Sequence, residues 1–182
     1  KYPGAEAITH FARGIGGARS GNAAVAEEAI AELGRLQSQL KGAGDTYWAA
    51  QVEAQQMTVQ AWLEYHRGDK NKALAMMQEA ADKEDALDKH PVTPGAVLPA
   101  RELLGDMLLL SKKPAEALQA YEASLKVSPK RYNSLYGAAL SAERTKDKEK
   151  AKRYYAELLQ ISPEADESRE SWAHAKNYTT KK

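Results

Sequence analysis

The chain contains no cysteine, which excludes disulfides, thiolate nucleophiles and Cys-ligated zinc and leaves the redox compartment open. Aromatic residues are scarce, 7% with a single Phe, which suits helices packed through Ala, Leu and Met better than a sandwich or barrel. No apolar run approaches the roughly 20 residues needed to cross a bilayer. No leader of basic, then apolar, then small residues opens the sequence. The first residue is Lys1 rather than Met, so the expectation is a fragment or processed product of a longer protein, and no compartment follows from it. Net charge is also nearly absent, at +1. That balance hides an asymmetry, because residues 1–91 carry 10 Lys/Arg against 13 Asp/Glu and residues 92–182 carry 16 against 12. Such a gradient can orient a charged partner but falls short of a dedicated nucleic-acid footprint.

What the chain does have is a repeat. Ala117, Tyr121 and Pro129 recur 34 residues later as Ala151, Tyr155 and Pro163, each set placed alike in a pattern of two helices and a turn. The strongest hairpin runs from about Val97 to Leu110 and from Pro114 to Val127, broken by Ser111-Lys112-Lys113 and closed by Ser128-Pro129. Pro114 belongs in a first helical turn, where its missing N–H costs nothing. The next unit, Tyr132 to Pro163, places Ala138-Ala139 where Leu104-Gly105 stood. Small residues there let helices approach, and the ring four positions after Ala117 or Ala151 fills the gap.

Upstream the period loosens. Thr46 to Arg67 reads as a first helix with Asp45 as its N-cap, followed after Gly68-Asp69 by a second carrying Ala73, Leu74, Met77 and Ala80. An insertion containing His90-Pro91-Val92-Thr93-Pro94-Gly95 separates this pair from the next. The first pair joins Ala5–Arg19 to Ala23–Leu40, and a further insertion includes Lys41-Gly42-Ala43-Gly44. About Ala165 to Lys176 reads as a charged capping helix with Trp172 on its apolar edge. The expected architecture is therefore all-α, an α-α superhelix or solenoid of antiparallel helix pairs with a C-terminal capping helix. It forms a single array over 1–182, with units 5–40, 45–89, 97–129 and 132–163 and a cap at 165–177. A solenoid of this kind shares its core between neighbours and leaves a concave surface.

Motifs for chemistry are incomplete. Gly16-x4-Gly21 has the glycine spacing of a phosphate loop, but Asn22-Ala23 stands where Lys-Ser/Thr would meet phosphate and magnesium. Gly14, Gly16 and Gly17 are read instead as permitting close helix packing. Ser38-x2-Lys41 lacks the companion motifs of a serine acyl-transfer site. His10, His66, His90 and His174 are far apart and form no His-Glu-x-x-His pair, so no metal, cofactor or catalytic residue is expected. Residues 126–153 hold nine Lys/Arg and three Asp/Glu with Tyr132, Tyr136 and Tyr154 interleaved. Nucleic-acid contact is an available reading of that segment; a solvated turn and helix face explains its alternating charges better.

The informative surface should be the inner face of each first helix. The register of the Leu104-Gly105 unit, laid on its neighbours, turns Trp62, Tyr65 and His66, then Glu102 and Asp106, then Asn133, Tyr136, Leu140 and Arg144 to the concave side. Rings and Arg can anchor a peptide, and the carboxylates could receive a basic group. The rival reading is that Trp62 and Tyr136 simply pack between helices, and for Trp62 it is favoured by Gln60 and Glu64, which fit poorly at the buried places this register assigns them.

The chain resembles bacterial tetratricopeptide-repeat proteins, and within them an uncharacterised group. The residues that carry the likeness are His90-Pro91-Val92-Thr93-Pro94-Gly95, Leu98-Pro99-Ala100-Arg101-Glu102-Leu103-Leu104-Gly105-Asp106-Met107-Leu108, Pro114-Ala115-Glu116-Ala117-Leu118 and Tyr136-Gly137-Ala138-Ala139. Members of that group carry additional sequence before this region. The resemblance implies a right-handed superhelix of helix pairs that binds peptides or assembles complexes and has no catalytic activity. The chaperone-tail subclass holds a terminal carboxylate with Lys and Asn, whereas Glu102 and Asp106 stand at inner-face places here. The expectation is a non-enzymatic scaffold for a protein or peptide partner, open to self-association and not inserted in a membrane. The alternative is the regulatory or substrate-recruiting end of a larger enzyme. Trp62→Ala separates core from groove: unfolding measurements should show a loss of about 3–5 kcal/mol if the ring is core and under about 1 kcal/mol if it lines an open surface.

Overall fold

The computed structural model describes residues 2–87, 96–166 and 168–180. Among these, nine helices and no strand are present: α1 Pro3–Ser20, α2 Ala23–Gly42, α3 Thr46–Arg67, α4 Lys70–Asp85, α5 Ala100–Leu110, α6 Pro114–Val127, α7 Tyr132–Arg144, α8 Lys148–Ile161 and α9 Glu170–Thr180. The chain is thus all-α, with neighbouring helices packing in sequence order. It falls into two compact units, residues 1–103 and 104–182, with the boundary inside α5.

Local chemistry sets the helix ends. Asn22, Asp45, Asp69 and Asp147 each accept the backbone N–H three residues on, at 3.1–3.3 Å, satisfying a donor that the first turn leaves without an intrahelical partner. Pro114 opens α6 and Pro3 opens α1. The helix expected from Val97 begins at Ala100 instead, where Glu84 accepts the Ala100 N–H at 2.7 Å. Arg101 then reaches Asp82 at 2.6 Å and Asp85 at 2.7 Å, fastening the start of α5 to the end of α4.

In unit 1, α2 and α3 are 20 and 22 residues long, against 14 in α6 and α8. The Lys41-Gly42-Ala43-Gly44 insertion is accordingly taken up partly as helix, since α2 runs through Gly42 before the turn at Ala43 and Gly44. The insertion expected around His90–Gly95 lies outside the described residues. The core is built from Phe11, Ile15, Leu33, Leu36, Leu40, Val52, Val59, Trp62, Leu63 and Met77, large apolar side chains whose burial contributes roughly 1.5–3 kcal/mol each.

The glycines of α1 divide by environment. A Cβ at Gly14 would lie 2.9 Å from Val59 and 3.0 Å from Ala29, and one at Gly17 would lie 2.9 Å from Val25. Both permit close approach of neighbouring helices. Gly16, by contrast, faces open space, so only part of the expected packing role applies.

Unit 2 repeats one device. Ala117, Tyr121, Ala151 and Tyr155 are all buried, as their matched spacing predicts. The Tyr121 ring lies against Gly105 on α5 and Gly137 on α7; a Cβ at either would come within 2.7 Å and 2.2 Å of it. Its hydroxyl donates to Asp106 at 2.7 Å. Ala at position 137 must displace that ring, so unfolding of Gly137→Ala should show a net loss of at least about 1 kcal/mol despite better helix propensity. Gly16→Ala is expected to gain about 0.5–1 kcal/mol by the same propensity argument, with no contact to oppose it.

Candidate functional site

The expected inner-face residues separate by burial. Trp62 is only 2% exposed, with Arg19 4.5 Å above its ring and Tyr65 5.9 Å away. It is a core residue of unit 1, and its place in an open groove is corrected accordingly; the larger of the two costs for Trp62→Ala is the one expected. The reason is that α3 packs against α1, α2 and α4 together, so its buried arc includes Val59, Ala61, Trp62 and Leu63 and leaves Gln60 and Glu64 half-buried. Tyr65 is half-buried beneath the Lys70 ammonium at 5.6 Å, and His66 is exposed.

Glu102 is likewise 2% exposed and offers no carboxylate to a basic group arriving from solvent. Asp106 is half-buried and accepts the Tyr121 hydroxyl.

The residues that remain together lie on α7. Asn133, Tyr136, Leu140 and Arg144 recur at helical spacing on one face, Asn133 and Arg144 exposed, Tyr136 and Leu140 half-buried. The opposite arc, with Ser134, Leu135, Gly137, Ala138, Ala139, Ser141 and Ala142, is buried. This division leaves a narrow stripe of mixed character, polar at both ends and apolar in the middle. Arg144 extends to the Leu109 carbonyl at 3.5 Å, and the ring of Tyr136 lies 6.2 Å from Tyr155 and edge-on to His174 at 6.3 Å.

Beside the stripe is a cluster that spacing along the chain does not announce. Glu143 Oε2 accepts the Tyr155 hydroxyl at 2.7 Å and the His174 Nε2–H at 2.9 Å, joining α7, α8 and α9. A carboxylate only accepts, so His174 must carry its proton on Nε2. Burial raises the Glu143 pKa, but the hydrogen bonds from His174 and Tyr155 and the charges of His174 and Arg144 outweigh it and hold the carboxyl below its ordinary value. Burial, then the bond to Glu143, pushes the Tyr155 phenol well above its ordinary range, and burial raises Tyr136 as well. Both phenols therefore stay protonated near neutrality.

No protein-family model matches this chain, and no curated protein matches it either.

Two of the three rings in and beside the basic segment 126–153, those of Tyr132 and Tyr154, are engaged within the protein, and the third, Tyr136, belongs to the α7 stripe. Tyr132 lies under Arg169 at 3.9 Å and bonds Ser171 at 2.9 Å; Tyr154 is 8% exposed and donates to Glu122 at 2.9 Å. Burial withdraws the Tyr154 ring from stacking on a base, and Arg169 covers one face of Tyr132. An open cavity of about 420 Å³ lies in unit 2 over Leu125, Pro129 and Leu135, rimmed by Glu122, Lys126, Lys130, Tyr154 and Glu157. Glu122 is answered there by Lys150 at 3.0 Å. Among the described residues no group of three or more His, Asp or Glu is placed to hold a metal ion, and no helix is long and apolar enough to cross a membrane.

The depressed Glu143 pKa fixes the sign of a pH effect. Its contribution is complete above the unfolded value of about 4.5 and is lost as pH falls through the folded value. Unfolding measured from neutral to acid pH should show that loss in the parent protein, and Glu143→Gln should be less stable at neutrality with a shallower acid limb.

Proposed function

We propose that this chain is a non-enzymatic scaffold of the tetratricopeptide type, binding a protein or peptide segment along the α7 face of unit 2. The observation that carries this reading is the α7 stripe itself. Asn133, Tyr136, Leu140 and Arg144 combine a ring, an aliphatic side chain, an amide and a guanidinium on one accessible face. Those are groups that anchor peptides, and the other side of the same helix is packed into the core. A helix held that way offers its face at little ordering cost, which favours affinity. The 34-residue recurrence of Ala and Tyr, with both pairs buried, supports the repeat type. We extend this to the inner surface of a right-handed superhelix, as the resemblance implies.

The stripe also bounds the partner. Tyr136 and Leu140 call for an apolar side chain, whereas Arg144 calls for a carboxylate or a carbonyl nearby. Trp62, Glu102 and Asp106 do not belong to this face.

Affinity capture with the intact protein, compared with Tyr136→Ala/Arg144→Glu, tests the proposal. Partners held by the parent protein should be lost from a variant whose helical content and melting temperature are maintained. An unchanged partner set would remove the α7 face from consideration.

A further inference from the structure

The turn that ends the first helix of each hairpin passes through a left-handed residue. In unit 1 these residues are glycines, Gly21 at φ 84° and Gly68 at φ 104°. In unit 2 the corresponding turns hold lysines, Lys112 at φ 59° and Lys146 at φ 65°. A Cβ disfavours this conformation, and glycine is the usual residue at such a helix end. Lys112 and Lys146, 34 residues apart, thus occupy strained positions that the other unit fills with glycine, and Lys130, in the turn after α6, is left-handed as well at φ 61°. An observed outlier of this kind directs attention to function.

The two turns are neighbours. Arg144, at the end of α7, reaches the Leu109 carbonyl near the end of α5, which brings the α5–α6 turn beside the α7–α8 turn. Lys112, Lys146 and Lys148 are exposed there, and among the described residues none of them forms an ion pair. The carboxylates on this edge offset them only in part: Glu116 is taken by Lys113 at 3.0 Å, Asp147 caps α8 and keeps its charge, and the exposed Arg144 adds a further positive group. Glu149 is exposed, and among the described residues it has no ion-pair partner.

We propose that this turn edge of unit 2 is a docking surface for an acidic polypeptide segment of a partner protein. Helices in contact lie roughly 10 Å apart, a span of about three residues of extended chain. Carboxylates two or three residues apart can therefore meet successive turns. An acidic protein segment fits better than a nucleic acid, because the two turns, Ser111-Lys112-Lys113 and Thr145-Lys146-Asp147, carry no ring on which a base could stack. The surface adjoins the Arg144 end of the α7 stripe but engages other side chains, Lys112 and Lys146, and stands whether or not that stripe binds a peptide.

The test titrates a labelled polyglutamate peptide, and an oligothymidylate of equal charge, against the intact protein at near-physiological salt. Lys112→Gly/Lys146→Gly should weaken polyglutamate binding roughly tenfold, as expected for two exposed charge pairs, while raising the melting temperature through relief of the turns. Lys112→Arg/Lys146→Arg should retain binding, and Lys126→Gln/Lys130→Gln, removing as much charge elsewhere on unit 2, should leave it within about twofold. Unchanged affinity in the glycine variant, an equal loss in the Lys126/Lys130 variant, or tighter binding of the oligothymidylate would each overturn the proposal.

Discussion

The Tyr121 ring is held where two helices present no side chain to it. Gly105 on one and Gly137 on the other leave a slot that any Cβ would close, and the hydroxyl at the end of the ring is returned to Asp106. This contact fixes how near α5 and α7 can come to α6, and with it the position of every residue on the α7 face. Interiors are packed densely enough that such a slot tolerates little change of volume. Tyr155 occupies the matching place on α8. There the neighbouring groups are rings and a carboxylate rather than two glycines, so the same residue serves a polar junction.

The α7 stripe follows from this arrangement. Because one arc of α7 is committed to the core, the remaining arc has a fixed orientation, and its four predicted residues share a face. Glu143 sits at the edge of that arc with one carboxylate oxygen held by hydrogen bonds from His174 and Tyr155. Near the end of α7 the exposed basic groups Arg144, Lys146 and Lys148 outnumber the carboxylates of Asp147 and Glu149. A scaffold whose partner is an acidic or carboxylate-bearing segment is the proposal most consistent with that balance.

Much of the local structure was readable from residue type. Asp45 and Pro114 marked helix starts through backbone donor chemistry, α3 and α6 have the bounds their periodicity gives, and the Ala and Tyr rows are buried. Trp62 was harder. A helix packed on three sides has so wide a buried arc that periodicity alone does not fix which ring faces solvent. Glu102 misled for a related reason, since a carboxylate is ordinarily placed outside and here it is buried. Gly14 and Gly16 look alike in sequence and differ only because Val59 and Ala29 stand opposite the first. The Glu143–Tyr155–His174 junction joins residues on three helices, and no spacing within one helix announces it.

The slot around Tyr121 can be observed directly. In a nuclear Overhauser spectrum of the intact protein, the Tyr121 ring protons should show cross-peaks to the α-protons of both Gly105 and Gly137. Cross-peaks to neither glycine, with a Tyr121 ring exposed to solvent, would contradict the packing from which the α7 face is derived.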